Sequence, residues 1–400
     1  MKVFKRVLPT SLLCLGLGLS LPAMAVDISG NTGFEINIYE DEGQFESQDY
    51  RSNLSFAAQP EFYWEWHNGD NSLIFTPFFR LDEQDEERTH GDIRELAWTY
   101  VNNQWEIHTG IRKVFWGVTE FVHLVDVINQ TDNVESADGE EKLGQAMVQL
   151  SRATNWGIFD GFILLGFRER TFAGEDGRLR PQLLVDTDQA SYESGDEDKH
   201  IDFALRWSHS VDIFDVGVSI FEGTDREPIL QVGLSNGEVV LTPFYQQVTQ
   251  IGIDLQATID NWLWKLELIH KDSDQDTFAA SQAGFEYTFY GVAGSTTDIG
   301  ALLEYGWDER GEDASSLSQN DIYLGTRITL NDANDSTLLM GFSYDVDYYS
   351  RSFIVEASKR LNDRWTIALE GLFVDASNSQ DPSASLDQDD RIQLTFERFF

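Results

Sequence analysis

Cysteine is almost missing from this chain, and several other scarcities narrow it further. The one cysteine among 400 residues is Cys14. It lies in a stretch that reads as a secretory signal peptide, residues 1–25. Lys2, Lys5 and Arg6 make the positive start, Leu12 to Leu21 is apolar, and Ala23-Met24-Ala25 is a small-residue cleavage site. Leu13 stands where lipid attachment at Cys14 would need a small residue. Residues 26–400 then hold no cysteine, which excludes a disulfide framework and thiolate metal sites. Basic residues are scarce as well: 28 Lys and Arg against 69 Asp and Glu, or 25 against 69 beyond residue 25. Nucleic acid demands a basic footprint, so it is set aside as a partner. No second apolar run approaches the roughly 20 residues of a membrane-spanning helix. Proline is rare and no helical heptad is sustained. A soluble exported β-protein and a membrane β-barrel remain.

What the chain has is alternation. Leu54, Phe56, Ala58, Phe62, Trp64 and Trp66 share one face, with Ser55, Gln59, Glu61 and Glu65 on the other. That strand is long enough to cross a bilayer, where about 9–11 residues suffice. Asn68-Gly69 then signals a hairpin. The return strand puts Leu73, Phe75, Phe79 and Leu81 opposite Thr76 and Arg80. Similar strands recur to the end of the chain, as in Ile251-Ile253-Leu255 and Leu338-Met340-Phe342. Residues 157–167 are apolar on both faces and take no orientation from their pattern. A soluble sandwich would turn a Lys- and Thr-rich face to water and use shorter strands. Here the polar face is Gly, Ser, Thr, Gln and paired charges.

Connection lengths alternate too. Short ones at 67–71, 102–103, 153–156, 209–211, 260–261, 291–296, 331–335 and 362–363 read as periplasmic turns. Long polar ones at 40–50, 82–91, 114–144, 168–198, 222–243, 272–280, 308–319 and 375–388 read as external loops, with a tight ninth near 347–351. The expectation is an all-β transmembrane antiparallel barrel of about 18 strands, or 16 if one hairpin drops out, filling residues 26–400. Closure follows because an open edge would leave unpaired amides in hydrocarbon.

The last strand, Arg391 to Phe400, alternates Ile392, Leu394, Phe396 with Gln393, Thr395, Glu397 and ends on Phe. It resembles the closing strand of Gram-negative outer-membrane barrels and porins, departing from their pattern at Arg398. The resemblance implies an integral outer-membrane location. It also implies lipid, lipopolysaccharide and the barrel-assembly machinery as partners.

Charges that cannot face lipid must face the lumen. By alternation the inward acids are Glu35, Glu61, Glu65, Glu95, Glu106, Asp202, Asp215, Asp254, Glu267, Glu286, Glu304, Asp345, Glu356, Glu370 and Glu397. Inward bases are Arg80, Arg112, Arg206, Lys265, Arg327 and Arg360, and His108 lies on the same side. Acids outnumber bases, so a cation-preferring wall is expected. Residues 114–135 break the alternation and are too apolar for a free loop, so they are expected to fold into the lumen as a constriction or plug. Phe115, Trp116, Glu120, His123, Asp126, Asn129 and Asp132 belong to it. Its spacing, Gly110-x-Arg112-x-x-x-Trp116-Gly117 followed by Asp126-x-x-Asn129-x-x-Asp132, resembles the alginate-export and related barrel families over about 25 residues. Exporters of that kind imply an arginine-rich pore, which this acidic wall is not.

Enzyme motifs are weak. Gly233-Leu234-Ser235-Asn236-Gly237 matches G-x-S-x-G, but strand-like residues follow where a helix is needed. No H-E-x-x-H, phosphate loop or calcium loop occurs, so no metal or cofactor is expected. The reading is a channel for passive diffusion of small solutes. The alternative is a substrate-specific exporter or importer of a polysaccharide or small nutrient, and the third is a barrel enzyme or adhesin.

Overall fold

The computed structural model describes residues 25–136, 139–314, 316, 318–378 and 380–400. The expected signal peptide, apart from Ala25, lies outside them. In chain order the strands are β1 (Val26–Tyr39), β2 (Ser52–Trp66), β3 (Asn71–Asp82), β4 (Gly91–Val101), β5 (Trp105–Arg112), β6 (Gln145–Thr154), β7 (Gly157–Leu165), β8 (Ser191–Tyr192), β9 (Ile201–Val211), β10 (Phe214–Thr224), β11 (Ile229–Ser235), β12 (Glu238–Tyr245), β13 (Gln247–Ile259), β14 (Trp262–Ser273), β15 (Thr277–Phe289), β16 (Asp298–Asp308), β17 (Asn320–Thr329), β18 (Thr337–Asp345), β19 (Arg351–Asn362), β20 (Trp365–Asp375) and β21 (Arg391–Phe399). Eighteen form one antiparallel sheet in which every strand pairs with its neighbour, and β1 also pairs with β21. The barrel is therefore closed with 18 strands, as the alternation and loop count require. β8, β11 and β12 form a small separate sheet on the long-loop side.

Pleat and register settle which residues face in. Phe34 is 61% exposed on the outside while its neighbour Glu35 is 7% exposed within. Aromatics gather on the outer face near the short turns, where Trp262 stacks on Trp264 at 5.6 Å and Trp98 on Tyr100 at 6.3 Å. Such an interfacial girdle, with an apolar band beyond it, is the outside of a bilayer-spanning barrel. Phe400 is tied to β1 at this rim, its amide donating to Gly30 O at 3.1 Å.

One boundary differs from the sequence reading, and one strand left open by it takes an orientation. The connection expected at 272–280 shrinks to 274–276, because Thr277 to Ala280 continue β15. β7, unreadable by pattern, turns Phe162 and Leu164 inward and Ile163 and Leu165 outward. Both faces are apolar because the inner one meets a packed loop instead of water.

Candidate functional site: the lumen and its inward loop

The chain leaves β5 and runs through the lumen as residues 113–144 before entering β6, a longer inward excursion than the expected 114–135. Glycines make the departure possible. Gly110 has φ +129°, and a Cβ there would collide with the backbone of Leu96 on β4. Gly117 has φ +132°, and a Cβ there would lie 2.8 Å from His123 Nδ1 and 2.9 Å from Glu267 Oε1. Only glycine lets the backbone come this close to the opposite wall.

The wall receives the loop through two buried carboxylates. Glu267 Oε1 on β14 accepts the amides of Val118 at 2.7 Å and Thr119 at 3.0 Å and the Thr119 hydroxyl at 2.6 Å. Its Oε2 accepts the Val125 amide at 3.2 Å. Glu304 on β16 accepts the amides of Glu120 and Phe121 at 2.8 and 3.3 Å. Glu120 reaches Lys265 at 3.3 Å and Arg327 at 2.5 Å, and Phe121 stacks on Tyr323 at 5.1 Å. β14 and β16 lie six and eight strands from β5 around the circuit of eighteen, so the loop bridges the barrel.

The root is fixed by the remaining motif residues. Asn129 Oδ1 accepts the Val114 amide, and its Nδ2 donates to Arg112 O and Leu143 O, all at 2.8 Å. Asp126 pairs with Lys142 at 3.3 Å and accepts the Trp116 amide at 3.3 Å. Asp132 accepts from Arg94 at 2.7 Å and from the Thr171 hydroxyl at 2.7 Å. Trp116 packs edge-on against Phe162 at 5.6 Å, with the Arg206 guanidinium 5.0 Å from its ring. The spacing singled out in sequence is thus a set of loop anchors. Phe115 is the exception: it is exposed and outside the packed core.

The loop divides the lumen. On one side Val125, Val127 and Ile128 pack against Met147, Phe162, Leu164, Phe221, Val248 and Ile269 of the wall. Fully burying each such aliphatic side chain stabilises by roughly 1.5–3 kcal/mol, so this core holds the loop against the wall. Beside this core lies a cavity of about 580 Å³, bounded by the loop and by the wall from β13 to β21, with Val127, Ile269 and Phe278 of the core on its edge. Its lining includes Glu356 and Glu370 together with Arg351 and Arg391.

The expected lining residues fall into three groups. Glu61, Glu65, Glu95, Glu106, His108 and Arg112 face the lumen near the β2 to β5 wall. There His108 Nε2 lies 2.7 Å from Glu106, and its Nδ1 bonds the Thr99 hydroxyl at 2.8 Å. Glu35, Asp202, Asp254, Glu267, Glu304 and Lys265 point inward but are sealed from water. Glu35 holds Arg80 and Arg88 at 3.0 and 2.7 Å, and Asp254 holds Arg206 at 2.8 Å. These sealed groups do not line an open passage, because the loop and its ion pairs cover them. Asp345, 5% exposed, is covered as well, while Glu286, Arg327, Glu356 and Glu370 remain on the less covered wall, with Arg327 3.8 Å from Glu286.

Arg94 was missed by strict alternation. A register shift at Thr76/Pro77 gives β4 one extra residue and turns both Arg94 and Glu95 inward. Arg88 and Arg226 were missed because they belong to loops; their guanidinium groups donate to Val134 O at 2.8 Å and Ile128 O at 3.0 Å. A lone Arg in an acidic loop was the available signal. His123, on the loop, has its pKa pushed up to about 10 by Glu140, which accepts from Nε2 at 3.1 Å, and by Glu267, 3.8 Å from Nδ1. His90, Asp132 and Glu135 bring possible metal-ligand atoms within 4.8 Å of one another. Arg94 and Arg80 already occupy both carboxylates. Ser235 ends β11 at a hairpin turn into β12, with strand rather than helix after it.

Among solved structures, the chain is similar to a BenF-like porin from Pseudomonas fluorescens Pf-5, with a TM-score of 0.53 at 8% identity over 94% of this chain and 97% of that one. It is also similar to OprB from Pseudomonas putida, at 0.44 and 10% over 94% of each chain. OmpT, an outer membrane protein of Vibrio cholerae, scores 0.47 at 11% over 95% and 99%. The fold is that of the outer-membrane porins. No protein-family model and no curated protein matches the chain, so the resemblance to alginate-export barrels gains no support.

Proposed function

We propose that this protein is an outer-membrane channel for passive diffusion of small solutes, with a preference for cations. The observation that carries the reading is the off-centre lumen. A loop clamped across the barrel packs one core against the wall and leaves a charged cavity along β13 to β21 beside it. The cavity lining holds ten Asp and Glu against seven Lys and Arg. Fixed charge in a narrow, low-dielectric channel concentrates counter-ions. In this reading residues 1–25 direct export and are removed. The barrel-assembly machinery then reads the strand ending in Phe400, and the acidic outer loops face lipopolysaccharide. Reconstitution in planar bilayers under a salt gradient tests it. Open steps with a cation-side reversal potential are expected, with a preference that weakens as salt screens the wall. Silence, or anion selectivity, would refute the proposal.

A further inference from the structure

Asp321 and Asp345 stand directly opposite each other on β17 and β18. Both line the cavity, and they are 4% and 5% exposed. Like charges directly opposed across a sheet destabilise it, and burial without a charged partner adds to the cost. Asp345 is covered by neutral donors: Gln319 Nε2 at 2.5 Å and the amides of Asp347 and Tyr348 at 2.7 and 2.8 Å. Asp321 Oδ2 accepts the Asn320 amide at 3.1 Å.

A second observation comes from a different part of the chain. Asp381, on the loop after β20, is 5% exposed and lines the same cavity. Its Oδ1 accepts from the Ser383 amide at 2.8 Å and the Ser383 hydroxyl at 2.7 Å. Its Oδ2 is buried and has no hydrogen-bond partner. Several other buried acids around this lumen are neutralised, Asp202 by Arg226, Asp225 by Lys271 and Asp308 by Arg310, and Glu304 is filled by the loop's amides instead. Among the described residues, none of the three carboxylates Asp321, Asp345 and Asp381 forms an ion pair.

We infer that Asp321, Asp345 and Asp381 hold a hard divalent cation, Ca²⁺ or Mg²⁺, at the outer mouth of the cavity. All-oxygen donors with a formal charge of −3 select such ions over softer ones. The three carboxylates do not converge within 4.8 Å of one another, so the ion keeps part of its water shell between them. The cation relieves the opposed pair and gives Asp381 Oδ2 its partner. It sits on the external side of the Phe121–Tyr323 stack, since Asp321 precedes Tyr323 by one inward-facing position.

The test uses the full-length folded barrel in detergent, titrated with CaCl₂ by calorimetry and melted in Ca²⁺ or in EDTA. The wild-type protein should take up Ca²⁺ at a site that Asp321→Asn/Asp345→Asn abolishes. Asp381→Asn should weaken that site by about tenfold or more. A control in an exposed loop, Asp186→Asn/Asp188→Asn, should leave it intact. In EDTA the double variant at 321 and 345 should melt above the wild type, and Ca²⁺ should raise only the wild type. If that double variant does not fold, Asp381→Asn decides alone. An unchanged isotherm in either site variant, or loss of the site in the loop control, overturns the inference. These readouts need no ion flow, so they stand or fall separately from the channel reading.

Discussion

Glu267 should be the residue on which the loop's position depends most. Its carboxylate is fully buried and receives three backbone amides and one hydroxyl from residues 118–125. Hydrogen bonds to a charged group contribute about 1.5–3 kcal/mol each net of water, so the three amides would represent about 5–9 kcal/mol if they were additive. Bonds to one carboxylate are not additive, which lowers the sum. Even a net loss near 3 kcal/mol changes the attached-to-detached ratio by about a hundredfold. Glu267→Ala should therefore release the stretch from Gly117 to Val125, while Asn129 and Asp132 keep the root in place. The barrel itself should fold, because β14 keeps both its neighbours. Single-channel recording should show larger, noisier steps than wild type. Glu267→Gln should be intermediate, since an amide retains one acceptor oxygen. Glu61→Ala, inward but away from these contacts, should match wild type. Wild-type steps from a correctly folded Glu267→Ala barrel would show that the clamp does not set the constriction.

His123 links the same clamp to pH. Its folded pKa of about 10 exceeds the ordinary 6.5, so its contribution is fully present below about pH 6.5 and is lost as pH rises through about 10. Steps should grow at the alkaline end, and His123→Gln should remove that dependence; a variant that keeps it points to another group. Deleting Phe400 should lower the amount of barrel assembled in the outer membrane, measured by fractionation and heat-modifiable migration, and normal yield would argue against the terminal signal. Epitope tags within 186–198 or 375–388 should be reachable on intact cells and a tag at 68–70 should not. The reverse pattern would invert the topology.

The wall was legible in the sequence because one physical rule generates it. Each strand separates lipid from lumen, so residues two apart share a solvent and the alternation can be read off Phe34, Ile36 and Ile38 directly. Arg94 escaped that rule because a single inserted residue reverses the phase, and Pro77 beside it was the one local sign of irregularity. The excursion at 113–144 was legible by its apolar content, but its docking partners were not. Glu267 and Glu304 look like any other inward acid until the fold places backbone amides of a segment 142–184 residues away against them. Contacts at that separation leave no periodicity in either segment.

The apolar inner face of β7 is the exception that carries long-range information. A strand in a water-filled barrel has no reason to turn Phe162 and Leu164 to the lumen, because each exposed apolar side chain would forgo roughly 1.5–3 kcal/mol of burial. Met147 on β6 and Phe221 on β10 share this property, and all four meet Trp116, Val125 or Ile128 in one core. Strands apolar on both faces therefore mark where something covers the wall from within, and strands with a polar inner face mark where water remains. The five strands β17 to β21, with Gln393, Thr395 and Glu370 turned inward, belong to the second kind, as do β2 to β5 with Glu61, Glu65 and Glu106. The apolar core fixes the loop, and the loop in turn fixes where a solute can pass.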